Sequence, residues 1–303
     1  MSIVMKILLT GGTGSFGKAF VSNMLKRDKD FEIVIFSRNE KNQLEMEKEL
    51  DDSRLNFIIG DIQDKNSLSH YAEGADAVIH SAALKHIPTC EKNPAEAVKT
   101  NILGSMNVIS ASIENNIKKV VFMSTDKAVL PTSTYGATKT VAERLFIDKK
   151  FTAIRFGNLA GSSGSVIPLF QKQSLTQDYL TVTDDKMTRF FISLNDAVEF
   201  MIKCINEMQG GEIYIPKMKS IEIENLARAI APDTPIVYTG LRPGEKLHES
   251  MFNEYEVPRI KEYSDHYIMS SKPLEDAQCE DIYSSDKALK MTVHEIKDFV
   301  DNL

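Results

Sequence analysis

A tyrosine and a lysine four residues apart form the most reactive pair in this sequence. Tyr135 and Lys139 lie in a helical stretch, so they share one face of a helix. A lysine ammonium beside a phenol favours the phenolate, so we expect Tyr135 to take or give a proton near neutral pH. The hydroxyl of Thr125 could hydrogen-bond the same substrate oxygen. Tyr-x-x-x-Lys alone is a weak signal, because most matches are surface helix, and it gains weight only with a dinucleotide site upstream.

Asp126 and Lys127 supply a second candidate acid–base pair. The apolar run at 119–123 predicts a buried strand, and the polar residues Ser124, Thr125, Asp126 and Lys127 follow it directly. Polar residues at the carboxyl end of a strand lie where open α/β sheets bind ligands. The alternative interpretation is a surface ion pair, which the position at a strand end disfavours.

A glycine-rich turn near the amino end predicts the dinucleotide site. A short apolar strand at 6–9 leads into G-x-x-G-x-x-G, and a helical pattern follows. Glycines permit the tight turn, let backbone N–H groups approach a pyrophosphate and let the helix pack on the strand. A glycine turn without a ligand is the alternative, and the strand–turn–helix context disfavours it. The residues predicted to bind cofactor here are Gly11, Thr13, Gly14, Ser15, Phe16 and Gly17.

The end of the second predicted strand, at 32–36, favours NADP over NAD. NAD sites usually place an acidic residue here to bind the ribose 2′-hydroxyl, whereas an arginine accommodates a 2′-phosphate. This chain has Ser37 and Arg38 at that point, with Lys41 one turn further on. A solvated, charged helix start is the alternative.

The elements that must position these residues alternate between strand and helix. Strands are predicted at 56–62, 75–83 and 151–158, and a long helix at 93–116. This β-α-β order predicts an α/β fold with a doubly wound parallel sheet. His80, at a strand end, fits a packed polar residue better than a catalyst. The further cofactor-binding candidates, at the ends of the third and fourth strands, are Asp61, Ile62, Ala82, Ala83 and Leu84.

The pattern changes after residue 158. We predict an NADP-binding Rossmann domain at 1–160, completed by about 190–216, and an interleaved smaller substrate-binding domain at 161–189 and 217–303. A strand is expected at 186–193, a helix at 195–208, a strand at 212–215 and an amphipathic helix at 221–231. Thr292 and Glu295 fit a capping box that opens a last helix. Residues 254–290 show poor periodicity, and no element is predicted there.

Composition narrows the class of protein. The 303 residues are 42% hydrophobic and 26% charged, which is ordinary for a soluble globular protein. A formal net charge of -7 disfavours nucleic acid and anionic membranes as partners. No run has the length of a membrane span, and strand 1 begins too early for a cleaved signal peptide. The three cysteines are far apart, so we expect a cytoplasmic protein with neither a metal cluster nor a disulfide framework.

Four ordered motifs carry a resemblance that covers nearly the whole chain. They are AALKHIP at 82–88, STDKA at 124–128, MTRFF at 187–191 and RPGEKLHE at 242–249. With the glycine turn and the Tyr–Lys pair, the chain resembles the extended short-chain dehydrogenase/reductase superfamily. Within it, the chain is similar to the UDP-N-acetylglucosamine 4,6-dehydratases of bacterial surface-sugar pathways, most of all to the inverting type that begins pseudaminic acid synthesis. It departs from them near 147–152, where it is shorter, and at Ser163, where an arginine is common.

The resemblance implies a chemistry and a set of roles. Tyr135 would take the O-4 proton of UDP-N-acetylglucosamine while NADP takes the C-4 hydride, and Asp126 and Lys127 would be the acid and base at C-6 and C-5. Related dTDP-glucose dehydratases have Glu in place of Lys127. A lysine is a base only when neutral, which burial near Lys139 would favour. Asn101 would support Lys139, and Asn101, Tyr135 and Lys139 would also bind cofactor.

The resemblance also implies a substrate site and an assembly. A UDP site needs cations and backbone donors, and the chain is expected to form a homo-oligomer, a hexamer or a dimer. A keto-reductase or 4-epimerase would share Tyr135 but not need Asp126 and Lys127, and an NADP-sensing regulator could lose Tyr135. The expected product is inverted at C-5, with a retaining dehydratase as the alternative. The predicted substrate-binding residues are Lys85, Thr125, Asn158, Gly164, Ser165, Val166, Arg189, Arg242 and Glu245.

Overall fold

The computed structural model describes residues 5–27, 30–162, 164–275, 277 and 279–303. Its strands are β1 (Met5–Thr10), β2 (Phe31–Ser37), β3 (Leu55–Ile59), β4 (Ala77–His80), β5 (Lys119–Thr125), β6 (Thr152–Phe156), β7 (Asn158–Leu159), β8 (Leu180–Val182), β9 (Thr188–Ile192), β10 (Glu212–Pro216), β11 (Ser220–Glu222), β12 (Ile236–Tyr238), β13 (Ser250–Phe252), β14 (Ile260–Glu262), β15 (His266–Ser270) and β16 (Tyr283–Ser284). Its α-helices are α1 (Ser15–Leu25), α2 (Glu40–Leu50), α3 (Lys65–Tyr71), α4 (Ile87–Lys92), α5 (Pro94–Val98), α6 (Gly104–Glu114), α7 (Thr134–Asp148), α8 (Val166–Thr176), α9 (Leu194–Glu207), α10 (Ile223–Ile230) and α11 (Val293–Asp301).

A nine-stranded sheet organises the chain. Its order is β14-β15-β10-β6-β5-β4-β1-β2-β3. The seven strands from β10 to β3 are parallel to one another. β15 runs antiparallel to its neighbour β10, and β14 runs antiparallel to β15. The strand order reverses between β1 and β4, and such a switch point is where open α/β sheets bind ligands. The predicted α/β fold with a doubly wound parallel sheet is therefore confirmed.

Burial explains why these segments form strands. All residues of β4, β6 and β10 are buried, as parallel strands covered by helices on both faces must be. The third and fourth strands are shorter than predicted, because β3 ends at Ile59 and β4 at His80. Asp61 and residues 82–84 therefore lie in loops beyond the ends of the strands. His80 is packed as expected, bonded to Thr10 and Ser105, and burial lowers its pKa to about 3.

The long helix predicted at 93–116 is divided. A short helix, α4, ends at Lys92, and Pro94 begins the next helix in the first turn, where its missing N–H costs nothing. A π-helical turn at Lys99–Leu103 then separates α5 from α6. Such turns occur frequently at functional sites, and this one carries the buried Asn101.

A second hydrophobic cluster lies outside the sheet. Ile167 and Phe170 of α8 pack with Leu226 of α10 and Ile296 of α11. The capping box of Thr292 and Glu295 is present at the start of α11. The elements predicted at 186–193, 195–208 and 212–215 are found, whereas the segment at 221–231 begins as strand and becomes helical at 223. The domain boundaries drawn from the sequence remain a prediction.

The segment that the sequence left unplaced closes one edge of the large sheet. β14 and β15 form an antiparallel hairpin, and β15 pairs with β10. β16 pairs separately with β13. Among the residues that the structure describes, no helix is long and apolar enough to cross a membrane.

A buried ion cluster joins β6 to α7 and to the segment at 253–259. Arg155 of β6 is 2% exposed and donates to both carboxylate oxygens of Glu143, at 2.6 and 2.9 Å. It also donates to both oxygens of Glu256, at 2.7 and 2.9 Å, and to the Met251 carbonyl. Ser124 donates to Glu143 from the end of β5. We call Glu143, Arg155 and Glu256 the closed cluster.

Candidate active site

The glycine turn forms one wall of a cavity at the switch point of the sheet. Gly11 adopts φ +73°, and a Cβ there would lie 2.7 Å from the Ala82 backbone nitrogen, so only glycine fits. The turn thus lies directly against the loop after β4. The predicted cofactor residues that line this cavity are Gly11, Thr13, Gly14, Ser15, Phe16, Gly17, Ser37, Arg38, Asp61, Ile62, Ala82, Ala83 and Leu84.

The end of this cavity next to β2 and β3 carries one cation and one acid. Arg38 Nη1 lies 3.4 Å from Asp61 Oδ2, and Thr13 donates to Ser37 at 3.1 Å. Lys41, in contrast, does not line the cavity. Its side chain is 82% exposed and lies 3.7 Å from Glu45 on the same helix, because α2 turns it outward. The predicted contribution of Lys41 to the cofactor site is therefore not supported by its position.

Asn101, expected to support the active-site lysine, hydrogen-bonds the loop after β4 and a threonine of α7. Its Nδ2 donates to the Leu84 carbonyl at 2.9 Å and to Thr138 Oγ1 at 3.0 Å, and its Oδ1 accepts from the Leu84 N–H at 2.8 Å. The π-helical turn aims the amide at the loop after β4. Asn101 therefore fixes the loop that borders the cofactor cavity to α7, and it acts on the site indirectly.

Tyr135 and Lys139 lie together on α7, both almost fully buried. Burial raises the pKa of Tyr135 above its ordinary value, and the nearby Asp126 carboxylate raises it further, although a hydrogen bond with Thr125 opposes this. Burial lowers the pKa of Lys139 to about 7, against the attraction of Glu143. Lys139 donates to the Met123 carbonyl and lies 3.9 Å from the Phe122 ring centroid. Burial dominates the pKa of Tyr135, and the expected effect of Lys139 on the phenol stays a prediction.

Thr125 connects Tyr135 to Asp126. Its hydroxyl donates to Asp126 Oδ1 at 2.9 Å, and it also hydrogen-bonds the Tyr135 phenol. Asp126 is fully buried behind Thr125 and does not itself line the cleft. Its second oxygen, Oδ2, has no hydrogen-bond partner among the described residues. A chain of proton donors and acceptors therefore runs from the cleft to a carboxylate with unused capacity.

Lys127 and a residue that the sequence did not single out complete this group. Lys127 Nζ donates to Asp126 Oδ1 at 2.9 Å and to Asn158 Oδ1 at 3.1 Å. Glu249 Oε1 lies 4.0 Å away on a third side. Glu249 Oε2 in turn lies 2.8 Å from Lys246 Nζ. We call Asp126, Lys127 and Glu249 the open cluster.

A cleft of about 400 Å³ adjoins the cofactor cavity and contains the predicted substrate residues. The two share Ala83, Lys85 and Met123 in their walls, so they are continuous. Burial lowers the pKa of Lys85. The residues that line the cleft include Lys85, Thr125, Lys127, Tyr135, Lys139, Asn158, Gly164, Ser165, Val166, Arg189, Arg242, Glu245 and Glu249.

The two arginines of the cleft differ. Arg189 is buried, and its guanidinium donates to the carbonyls of Thr188, Lys246 and Leu247. It therefore fixes the segment that carries Glu249, and fewer of its donors remain for a substrate than predicted. Arg242 is half-exposed, with Nη1 3.9 Å from Glu245, and its guanidinium remains accessible.

The start of α8 offers uncommitted donors. Ser165 precedes the helix but does not cap it, and its buried Oγ has no partner among the described residues. Uncapped backbone N–H groups at a helix start attract anions. Ser163, where the sequence departs from the family pattern, lies outside the described residues. No group of histidine, cysteine or acidic side chains able to hold a metal was found in the described ranges.

The Rossmann-type sheet, the glycine turn and the Tyr–Lys pair define a member of the short-chain dehydrogenase/reductase class. Over residues 7–271 the sequence matches the family described as polysaccharide biosynthesis protein. The chain belongs to this family.

Two of its relatives bear different names. A UDP-N-acetylglucosamine 4,6-dehydratase (inverting) of Campylobacter jejuni is 44% identical over 274 residues, covering 87% of this chain and 82% of the relative. A UDP-glucose 4-epimerase of Rickettsia bellii is 39% identical over 328 residues, covering 98% and 95%. Among solved structures, Pen from Bacillus thuringiensis superposes with a TM-score of 0.94 at 38% identity, covering 99% of this chain and 98% of that one.

Proposed function

We propose that this protein is an NADP-dependent UDP-N-acetylglucosamine 4,6-dehydratase that inverts C-5. One observation carries the proposal: Lys127 lines the same cleft as Tyr135, Asp126 lies directly behind that wall, bonded to Thr125 and Lys127, and the cleft is continuous with the dinucleotide cavity. A reductase or epimerase needs the tyrosine and a nicotinamide, but not an extra acid and base. The 44% identity to an inverting dehydratase supports the same assignment.

The cofactor cavity fits a nicotinamide dinucleotide. Gly11 lets the turn at the start of α1 lie against the loop after β4, and a helix start attracts a pyrophosphate, while Arg38 supplies a cation where a 2′-phosphate would lie. When bound, NADP would accept the C-4 hydride of the sugar and return it at C-6. The same cofactor molecule is therefore regenerated in each turnover and is expected to stay bound.

The proton from O-4 has a path through this chain's own side chains. Tyr135 takes it and passes its own proton along its hydrogen bond to Thr125, which passes one to Asp126 Oδ1. Asp126, which does not line the cleft, then returns that proton through Thr125 to the departing 6-hydroxyl. This relay explains how a tyrosine with a raised pKa can work as a base, because its phenol is never required to stay ionised.

Lys127 is the candidate base for C-5. The ketone at C-4 makes the C-5 proton acidic, since the carbanion becomes an enolate. In its neutral form Lys127 would take that proton. A proton returned to the opposite face inverts the centre, so we expect a 4-keto-6-deoxy-L-arabino product with solvent deuterium at C-5. A retaining enzyme would give the D-xylo product.

The nucleotide end has matching donors. The uncapped start of α8, with Ser165 and Val166, offers N–H and hydroxyl groups to a diphosphate. Lys85 and Arg242 add positive charge at the same cleft. Asn158 holds Lys127 and lines the cleft where the sugar would bind. This arrangement supports a UDP-sugar as the substrate.

A UDP-sugar 4-epimerase is the second candidate. The observation that favours it is the relative of that name, which aligns over 98% of this chain. An epimerase would use Tyr135 to move the O-4 proton and would return the hydride to C-4. It would leave Asp126 and Lys127 without a chemical step, which is why we rank it second.

Early-time proton NMR of the reaction with UDP-N-acetylglucosamine tests the assignment. The dehydratase gives a new 6-methyl signal and couplings of the L-arabino 4-ketose, before later epimerisation mixes the products. A wholly D-xylo early product rejects inversion and keeps the dehydratase. A UDP-N-acetylgalactosamine product without a methyl signal supports the epimerase instead.

The cellular context is also a proposal. We place the enzyme in the cytoplasm, in a pathway for a surface sugar of the pseudaminic acid type, with no nucleic acid or membrane as a partner. A homo-oligomer, hexamer or dimer, is expected from the family resemblance. Light scattering that gives only the 34.0 kDa mass of one chain would contradict the oligomer.

A further inference from the structure

Glu249 is a buried acid in the cleft that none of the steps above uses. It directly precedes β13, and only 2% of its surface is exposed. Its two oxygens face two different lysines, Oε2 at 2.8 Å from Lys246 Nζ and Oε1 at 4.0 Å from Lys127 Nζ. Acidic side chains are rarely buried to this degree unless they are paired. Glu249 therefore couples electrostatically to the candidate base.

Lys127 is surrounded by acceptors. Asp126 Oδ1 and Asn158 Oδ1 accept hydrogen bonds from it, and Glu249 lies in a third direction. An ammonium has three N–H donors and no lone pair, so in this state it cannot take a proton. The step at C-5 therefore depends on how strongly its neighbours hold Lys127 in the charged form.

We propose that Glu249 is a positioning residue that, together with Lys246, sets the pH at which Lys127 changes its charge. The consequence for the step at C-5 rests on the proposed function, whereas the effect of Glu249 and Lys246 on the charge of Lys127 does not. The Glu249 carboxylate favours the ammonium form of Lys127. Lys246 neutralises part of that carboxylate and repels Lys127, so it favours the amine. The two residues act on Lys127 in opposite directions.

The other charged and titratable groups around Lys127 and Glu249 are unchanged in the variants Glu249→Gln and Lys246→Met. Each of them would shift Lys127 equally in every variant, so a difference between variants reports Glu249 or Lys246. On the elements packed around Lys127 and Glu249 these groups are Asp126, Tyr135, Lys139, Arg189, Arg242, Glu245 and His248.

An NMR titration tests the proposal without turnover. The lysines are reductively methylated with ¹³C-formaldehyde, and the Lys127 signal is assigned by its loss in Lys127→Arg. In Glu249→Gln the titration midpoint of Lys127 should fall by about one pH unit, after screening by Lys246. In Lys246→Met it should rise. Glu249→Asp keeps the charge and should stay within a few tenths of a unit of the wild type.

Two results would overturn the proposal: an unchanged midpoint in Glu249→Gln, or shifts of the same sign in Glu249→Gln and Lys246→Met. Thermal unfolding and retained cofactor show whether each variant is folded. If Glu249→Gln does not fold, Lys246→Met still decides the matter, because a midpoint that fails to rise contradicts the coupling.

The pH profile of kcat gives the catalytic readout. In Glu249→Gln the limb that reports Lys127 should move to lower pH by the same amount as the NMR midpoint, while KM changes by less than about threefold. A merely structural role would lower kcat at every pH without moving the limb. Absence of dehydration by the wild type would refute the proposed function alone, since the titration stands without it.

Discussion

The closed and open clusters have the same pattern of charges but differ in how many of their hydrogen-bonding atoms have partners. Each places one cation between two carboxylates near the ends of β5 and β6. In the closed cluster, Arg155 donates to all four carboxylate oxygens around it. In the open cluster, Asp126 Oδ2 has no partner among the described residues, and Glu249 Oε1 is 4.0 Å from Lys127. Unused hydrogen-bonding capacity therefore distinguishes the group that can do chemistry from the group that holds the fold.

The alternation of a single strand separates the two clusters. Successive side chains of a strand point to opposite faces. Ser124 donates to Glu143 in the closed cluster, and the next residue, Thr125, donates to Asp126 in the open one. Two neighbouring hydroxyls in β5 thus serve structure and chemistry respectively.

Asp126→Asn should have the largest effect on the open cluster. The amide keeps an acceptor for Thr125 and Lys127 but cannot carry the relayed proton. We expect kcat to fall by about 10²–10⁴-fold, with the free energy of unfolding changed by less than about 2 kcal/mol. Product NMR and urea unfolding measure the two quantities. Near-normal turnover would remove Asp126 from the mechanism.

Arg155→Met should break the closed cluster. It leaves the buried carboxylates of Glu143 and Glu256 without their cation, and such losses cost about 3–5 kcal/mol of unfolding free energy. Urea unfolding measures this loss of unfolding free energy. The kcat of the folded variant, measured at low temperature, should change by only a few-fold. Arg155→Lys is the control that keeps one charge. A loss of stability below about 1 kcal/mol would contradict the structural role of the cluster.

Arg38→Ala sharpens the comparison at the cofactor end, with Lys41→Ala as its matched control. Losing a charge-assisted contact to a 2′-phosphate should weaken NADP binding about 10–100-fold relative to NAD. Lys41 lies outside the cavity, so its variant should leave the ratio unchanged. If the cofactor extracted from the wild-type protein is mostly NAD, the argument that Arg38 selects NADP is contradicted, and the comparison of the two variants loses its basis.

Lys139 should give the smallest effect, a pH dependence of stability. Burial lowers its pKa to about 7 in the folded chain, so above that pH the unfolded chain binds more protons. Stability from this group therefore rises with pH from about 7 towards the unfolded value, by roughly 1 kcal/mol per pH unit. Lys139→Met should lose this slope. Thermal unfolding of both proteins between about pH 7 and 9 measures it, and parallel slopes would contradict the lowered pKa.

Sequence patterns predicted the features that are determined by residues close together in the chain. The glycine turn, the strand–helix alternation and the Tyr–Lys spacing are properties of short segments, and the structure has them where expected. Ala82 and Ala83 were assigned to a strand, yet they still border the cofactor cavity, because strand ends and following loops lie at the same edge of a parallel sheet.

Contacts between distant segments could not be predicted in the same way. Glu249 meets Lys127 only because β13 packs next to the turn after β5, and nothing in the RPGEKLHE motif distinguished Glu249 from Glu245. Asn101 points at Leu84 because of a π-helical turn that no propensity scale indicates. The raised pKa of Tyr135 follows from burial, which spacing does not reveal.

The hairpin of β14 and β15 affects how the large sheet can fold while the chain is being synthesised. β10 pairs with β6 on one side, and its other side is covered only by β15, whose residues are made some fifty positions later. Until then β10 is an exposed edge strand, which is a template for unwanted pairing. Synthesis at ~5–20 residues per second keeps that edge open for several seconds. The nascent chain is therefore open to unwanted pairing at β10 during that interval, and the completion of β15 ends it.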